Sequence, residues 1–239
     1  MVLRIVLVFG ASGAIGRAIC SHFKGQGAFV IGVGRSDGAD YADFSSAWIK
    51  SNGDFIQLSQ ILTQRLEGKN LNSIVWAQGM NFSDDIHSLD VSKHLQMYEA
   101  NVLFILQTLE SLLLAQLLTK DTRLCVISSI WQNIARQKKL SYSVTKSALQ
   151  GLVQSLSIDL GKQGILINAV LPGALDTPMT KANLQADQIE KLKSATPLGS
   201  LPTLNDVTSL VDYLCSSSNT GITGQFIAAD RGFSHARIL

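Results

Sequence analysis

Two hydrophobic patterns alternate along nearly the whole of this chain, and that alternation limits its fold more than any other feature. Short apolar runs rich in β-branched residues fall at 4–9, 29–33, 73–77, 123–128, 166–171 and 225–229. Between them lie stretches of helical periodicity, at about 14–25, 54–67, 92–118, 142–161 and 204–217. Apolar strands separated by helices predict βαβ units, and hence a doubly wound parallel sheet flanked by helices on both faces. Such a sheet is buried on both sides, and a composition 46% hydrophobic and only 16% charged can supply that burial. No Pro/Ser linker, repeat or low-complexity tract divides residues 1–239, so a single α/β domain is expected. One place breaks the rhythm. Only "GRSDGA" separates the second strand from "DYADFSS", whereas a parallel crossover normally takes a dozen residues or more. The crossover helix after the second strand is therefore expected to be missing or very short, with a short edge strand at 40–44.

The stretch "VLVFGASGAIGRAI" follows the first strand and opens a helix. There Gly10, Gly13 and Gly16 let the backbone turn tightly and approach a pyrophosphate, which sits on the unpaired N–H groups of the helix N-terminus. Ser12, Ala14 and Ile15 complete that turn. Tight helix–sheet packing alone would also ask for glycine. The position at the first strand-to-helix turn of a βαβ chain favours dinucleotide binding, and with it a Rossmann-like domain. At the end of the second strand NAD-binding chains place an acid on the ribose hydroxyls, whereas an arginine accommodates a 2′-phosphate. Here Gly34 is followed by Arg35 and Ser36. A guanidinium suits phosphate geometry, so NADP(H) is expected, with NAD(H) as the alternative if Arg35 is only a loop charge.

A third signal is "SYSVTKSALQGL", with Tyr142 and Lys146 one helical turn apart and Ser129 at the end of an earlier strand. A phenol titrates near 10 and is a poor acid or base at neutral pH. A neighbouring ammonium on the same helix face favours the phenolate and brings the group toward the useful range.

In order along the chain, "GASGAIG", "DF" at 43–44, "VWAQG", Asn101 in "YEANVLF", "ISS", "YSVTK", "INAVLPGALDTPM", "PLGSL" and "TGQFIAADRG" resemble the classical short-chain dehydrogenase/reductase family. The resemblance implies an oxidoreductase that interconverts a ketone and a secondary alcohol. Ser129 would orient the substrate oxygen, Tyr142 would exchange its proton, and Lys146 would also hold the nicotinamide ribose. Asn101 would hold a water of the proton relay, although it could instead be a satisfied polar residue of a long helix. The resemblance further places Gly79, Pro172, Gly173 and Thr177 along the cofactor, Asp43 at the adenine, and the substrate region at about 173–200. The chain departs from the family pattern at Phe9, where Thr is common, and at Ala14. It also replaces Asn-Asn-Ala-Gly by Trp76–Gly79 and places Arg231 where a glycine is common. Two rivals keep the fold: a non-catalytic nucleotide-binding sensor or scaffold, and a sugar-nucleotide epimerase or dehydratase.

A net charge of +2 gives no nucleic-acid footprint, and no run reaches the roughly 20 apolar residues of a membrane span. The N-terminus reads as a strand rather than a signal peptide. Three scattered cysteines fit buried thiols in a reducing, cytoplasmic setting, and the histidines show no metal-ligand spacing. The small-molecule substrate could be anionic, since Arg136, Lys138 and Lys139 lie between Ser129 and Tyr142, although a solvated loop explains them more simply. Family members are usually homodimers or homotetramers built on the two long helices after the fourth and fifth strands.

Overall fold

The computed structural model describes residues 3–34, 42–47, 55–177, 180 and 184–235. Seven parallel strands form one sheet in the order β3-β2-β1-β4-β5-β6-β7. They are β1 (Ile5–Phe9), β2 (Phe29–Gly34), β3 (Phe44–Ala47), β4 (Leu71–Trp76), β5 (Leu118–Ile127), β6 (Leu166–Pro172) and β7 (Phe226–Ala229). The helices are α1 (Ala14–Gly25), α2 (Phe55–Leu66), α3 (Val91–Tyr98), α4 (Phe104–Leu114), α5 (Leu140–Gly161), α6 (Ala186–Ser194) and α7 (Leu204–Cys215). Side chains alternate across each strand, so in β1 Ile5, Leu7 and Phe9 join the core under α2, α4 and α5. Val6 and Val8 join the second core, under α1 and α7. Both faces are thus dry, as the continuous apolar runs require.

Two departures from the family pattern explain one another. Phe9 and Trp76 are register partners on adjacent strands, and their rings stack at 5.9 Å. Phe104 closes edge-on against Phe9 at 5.4 Å, and the Trp76 indole N–H donates to Thr108 Oγ1 at 2.9 Å. The usual polar pair is here an aromatic one with its single polar atom satisfied.

Three boundaries differ from expectation. The edge strand runs over Phe44–Ala47 rather than 40–44, because Phe44 is the apolar residue that reaches the core and pairs with Ile31. No helix is described between β2 and β3. The helix expected at 92–118 stops at Leu114 and is interrupted at Glu99–Leu103 by a π-helical turn. Its end is a Schellman motif: Gln116 takes a φ of 56°, Leu117 N–H donates to Leu112 O, and Gln116 N–H donates to Leu113 O. Because the left-handed residue is glutamine, no glycine marks the stop. Among the described residues no helix is long and apolar enough to cross a membrane. Cys20, Cys125 and Cys215 are buried and unpaired.

Candidate active site

The C-terminal edge of the sheet gathers most of the residues singled out by sequence. At the end of β1, Gly10 has a φ of +74°, and a Cβ there would lie 2.4 Å from Gln78 N. A Cβ on Gly16 would lie 2.2 Å from Gly10 O, so α1 can start this close to the strand only with glycine. Gly13 is the N-cap of α1; no side chain caps it and no acid lies in its first turn. The N–H groups of Ala14, Ile15 and Gly16 are left for an anion. These features fit a dinucleotide pyrophosphate. Ala11 N–H donates to Val33 O at 3.1 Å, which ties the loop to the end of β2.

Gly34 ends β2 against Ser12. A Cβ at 34 would fall 2.9 Å from Ser12 Oγ and 3.2 Å from its Cβ. A side chain there would have to turn the Ser12 hydroxyl aside and press on the Ser12 backbone N, 3.3 Å away. Arg35 and Ser36 lie outside the described residues. Asp43 is a correction. It enters β3 at the opposite, N-terminal edge of the sheet, with Oδ2 accepting Val30 N–H at 2.8 Å and Oδ1 3.7 Å from Lys24 Nζ. Its carboxylate closes the start of a strand and does not face the glycine loop.

At the end of β5, Ser129 caps a short 3₁₀ turn, its Oγ accepting Trp131 N–H at 3.3 Å. Tyr142 and Lys146 come from α5, as the i,i+4 spacing requires. Lys146 is only 4% exposed, donates to Ile127 O at 2.9 Å, and holds its Nζ 5.8 Å from the Tyr142 ring centre. Asn101 lies in the π turn, almost fully buried. Its Oδ1 accepts Met80 N–H at 2.7 Å, while its Nδ2 donates to Met80 O at 3.1 Å and to Thr145 Oγ1 at 2.9 Å. Asn101 therefore clamps the chain leaving Gly79, where a Cβ would come within 3.2 Å of Asn101 Oδ1 and 3.8 Å of Lys146 Nζ. Pro172 ends β6 beside Ala229, and Gly173 N–H donates to Ala229 O at 3.2 Å. Thr177 is buried in the following loop, with its hydroxyl 3.2 Å from that of Thr180.

Burial governs the titration here. It raises the Tyr142 phenol above its ordinary 10.0, and a hydrogen bond with Ser129 pulls it partly back. It pushes the Lys146 ammonium down to about 8. The lowering of the phenol expected from Lys146 is not what governs it: burial raises the pKa, and the opposing pull comes from Ser129.

One contributor carried no sequence signal. Helix α5 has no side-chain cap of its own at Lys139, and Asp84 supplies one from a distant loop. Its Oδ1 accepts Ser141 N–H at 3.0 Å, its backbone O accepts Leu140 N–H at 3.3 Å, and its Oδ2 accepts the Ser141 hydroxyl, which also meets His94 Nδ1 at 2.8 Å. This fixes the turn that carries Tyr142. The basic loop is largely engaged within the protein. Lys138 pairs with Asp85, Lys139 donates to Asn81 Oδ1 at 2.8 Å, and Arg136 lies over the Trp131 ring at 5.8 Å. That favours the plainer reading of those charges over an anion-binding mouth.

Comparison with known proteins bears on the family and the fold. The family described as Enoyl-(Acyl carrier protein) reductase matches residues 10–234. The 3-oxoacyl-(acyl-carrier-protein) reductase FabG of Salmonella typhimurium is 26% identical over 238 residues, which cover 96% of each chain. Among solved structures, ligand-free aldohexose dehydrogenase of Thermoplasma acidophilum superposes with a TM-score of 0.87 at 22% identity, covering 99% of this chain and 96% of that one. ElxO with NADP bound gives 0.84 at 22% identity, covering 97% and 98%. At such identities the two structures show the fold alone.

Proposed function

The chain belongs to the short-chain dehydrogenase/reductase family of oxidoreductases, and on that premise we propose that it interconverts a ketone and a secondary alcohol with NADP(H). The observation that carries this reading is the convergence of Ser129, Tyr142 and Lys146 at one strand end, with Ser129 near enough to lower the pKa of the Tyr142 phenol and Lys146 Nζ 5.8 Å from its ring centre. Nicotinamide, when bound, supplies the hydride chemistry. The protein supplies the rest. The phenol, held above its ordinary pKa, is protonated at neutral pH and can give its proton to the carbonyl oxygen. Ser129 orients that oxygen. A lysine titrating at about 8 is largely charged at neutral pH and stabilises the phenolate left behind.

For the cofactor, Gly34 supports NADP(H), since it stands where NAD-binding chains place the ribose-binding acid, and a side chain there would have to turn the Ser12 hydroxyl aside. Arg35 then stands next in sequence for a 2′-phosphate. A charge-assisted hydrogen bond contributes about 1.5–3 kcal/mol. Arg35→Ala should therefore weaken NADPH binding by about ten- to a hundredfold and leave NADH nearly unchanged. Equal weakening of both in a fluorescence titration would remove the NADP(H) assignment. Oxidation of NADPH with a panel of ketones tests the reaction itself.

A homo-oligomer is proposed on α4 and α5. Val144 and Ile158 are exposed on α5 and share one face with Ala148, Gly151 and Ser155. A Cβ at Gly151 would meet nothing within 4 Å, so a second helix can approach closely there. Ile158→Glu should shift sedimentation toward a smaller species.

A further inference from the structure

Beside Ser129 lies a pocket walled by Trp131, Leu192, Leu201, Pro202 and Phe233. Trp131 follows the serine by two residues, and Phe233 meets its ring edge-on at 6.3 Å. Leu192 reaches in from α6, a helix with no buried residue of its own. Two polar side chains also line the pocket, and both are already engaged within the protein. The Thr196 hydroxyl donates to Leu192 O at 2.7 Å. The Asp230 carboxylate accepts the N–H groups of Gly232 at 2.9 Å and Ser234 at 2.8 Å, together with the Ser234 hydroxyl. Each of these groups keeps a lone pair that could accept a hydroxyl, but the other side chains of the lining are apolar, so over most of the pocket an apolar group gains by burial where a hydroxyl would surrender its water unpaired.

We propose that the substrate carries an apolar substituent, alkyl or aryl, on the reacting carbonyl carbon, and that this pocket receives it in preference to a polyhydroxylated chain. The inference rests on the ketoreductase reading, so its test separates the two. NADPH oxidation is measured with aryl and branched-alkyl ketones, and NADP⁺ reduction with an aldohexose as the hydride donor. Binding of unreacted ketone and sugar is measured in parallel by calorimetry on the NADPH-loaded Tyr142→Phe protein. The apolar ketones should exceed the sugar by about a hundredfold in kcat/KM and bind measurably where the sugar does not. Turnover that favours the sugar would overturn the inference and keep the oxidoreductase reading. Binding of apolar ketones without any turnover would keep the pocket and overturn the reaction. Absence of both binding and turnover would overturn both.

A separate observation concerns how the pocket is held. Arg231 has a φ of 57°, a left-handed conformation that is strained for a side-chain-bearing residue and free for the glycine common in the family. Its Nε donates to Asp206 Oδ2 at 2.9 Å and its NH1 donates to Ser200 Oγ at 2.6 Å. Ser200 adjoins the pocket wall at Leu201, and Arg231 lies between Asp230 and Phe233. The geometry points to Arg231 as a positioning residue that fastens the loop joining α6 to α7, and the first turn of α7, to the end of β7. Arg231→Gly relieves the backbone strain and removes both bonds, so the fold should persist. KM for the ketone should rise about tenfold, with kcat and NADPH affinity within about twofold of wild type. Tryptic cleavage at Lys191 and Lys193 in α6 should accelerate, and Arg231→Lys should restore part of the protection. Unchanged KM and cleavage would overturn the assignment, as would a fall in every parameter together with thermal stability.

Discussion

The two halves of the sheet's C-terminal edge are built in opposite ways. On the β4–β6 side, polar side chains are buried and held in place. Asn101 makes three hydrogen bonds, Lys146 is anchored on Ile127 O, and Asp84 caps the helix that carries Tyr142. On the β1–β3 side the working surface is backbone and empty space. Gly10, Gly16 and Gly34 are positions where a Cβ would collide, and the first turn of α1 presents bare N–H groups. One half works through fixed side chains and the other through their absence. Substitutions on the first side should therefore act on the chemical step, and on the second side on binding.

The largest effect belongs to the phenol. Tyr142→Phe removes the proton donor while keeping the ring, and general acid catalysis is worth roughly 10²–10⁴-fold. The loss should appear in kcat with NADPH affinity unchanged. Near wild-type turnover on a good substrate would remove Tyr142 from the mechanism and erase the contrast between the halves.

Next in size is the buried lysine. Its pKa is held at about 8 against an ordinary 10.5, so between those pH values the unfolded chain binds a proton that the folded chain has released. Stability therefore rises with pH across that window; the contribution is complete above 10.5 and is lost as pH falls to about 8. The gap from 10.5 to about 8 corresponds to about 3–4 kcal/mol, at roughly 1.4 kcal/mol per pH unit. Lys146→Met should abolish it, so urea midpoints of cofactor-free wild type and variant should converge as pH rises from 8 to 10. Parallel curves would show that the ammonium is solvated in the folded chain.

A smaller effect is expected at Gly34. An aspartate there would ordinarily be chosen to favour NADH, but its Cβ must turn the Ser12 hydroxyl away from 2.9 Å and press on the Ser12 Cβ at 3.2 Å and N at 3.3 Å. Overpacking of this kind costs about 1–3 kcal/mol. Gly34→Asp should thus weaken both cofactors instead of exchanging them, and pairing it with Ser12→Gly should recover NADH binding. Clean exchange in the single variant would show that Ser12 does not hold this place.

Much of this was legible because the signals are local. The spacing of Tyr142 and Lys146 fixes their common face whatever surrounds them. Gly10, Gly13 and Gly16 mark a strand-to-helix turn by chain chemistry alone. What was not legible depends on contacts between distant residues. Asp84 meets Ser141 across 57 positions, and nothing in "FSDDIHS" says which acid will cap a helix. The π turn around Asn101 has no composition of its own, and the stop at Gln116 uses a residue that does not advertise a left-handed φ. Phe9 and Trp76 read singly as departures; only their register partnership shows them to be a matched pair.

The smallest expected effect concerns the residue that the structure moved. Asp43 reads by resemblance as an adenine contact, yet its carboxylate bonds Val30 N–H at 2.8 Å where β2 begins. Gly34, at the far end of the same strand, is four residues on, roughly 13 Å at the rise of a β-strand. A side chain at the entry cannot span that distance to the glycine loop. Asp43→Ala should leave NADPH affinity within about twofold, because no cofactor contact is lost. It should instead lower stability by about 1–3 kcal/mol, since the buried Val30 N–H loses its side-chain acceptor. Asp43→Asn, which keeps an acceptor, should recover most of that loss. Cofactor titration and urea denaturation on the two variants divide the outcomes. A tenfold loss of NADPH affinity in Asp43→Ala with stability unchanged would return Asp43 to the cofactor edge and undo the register of β3 on β2.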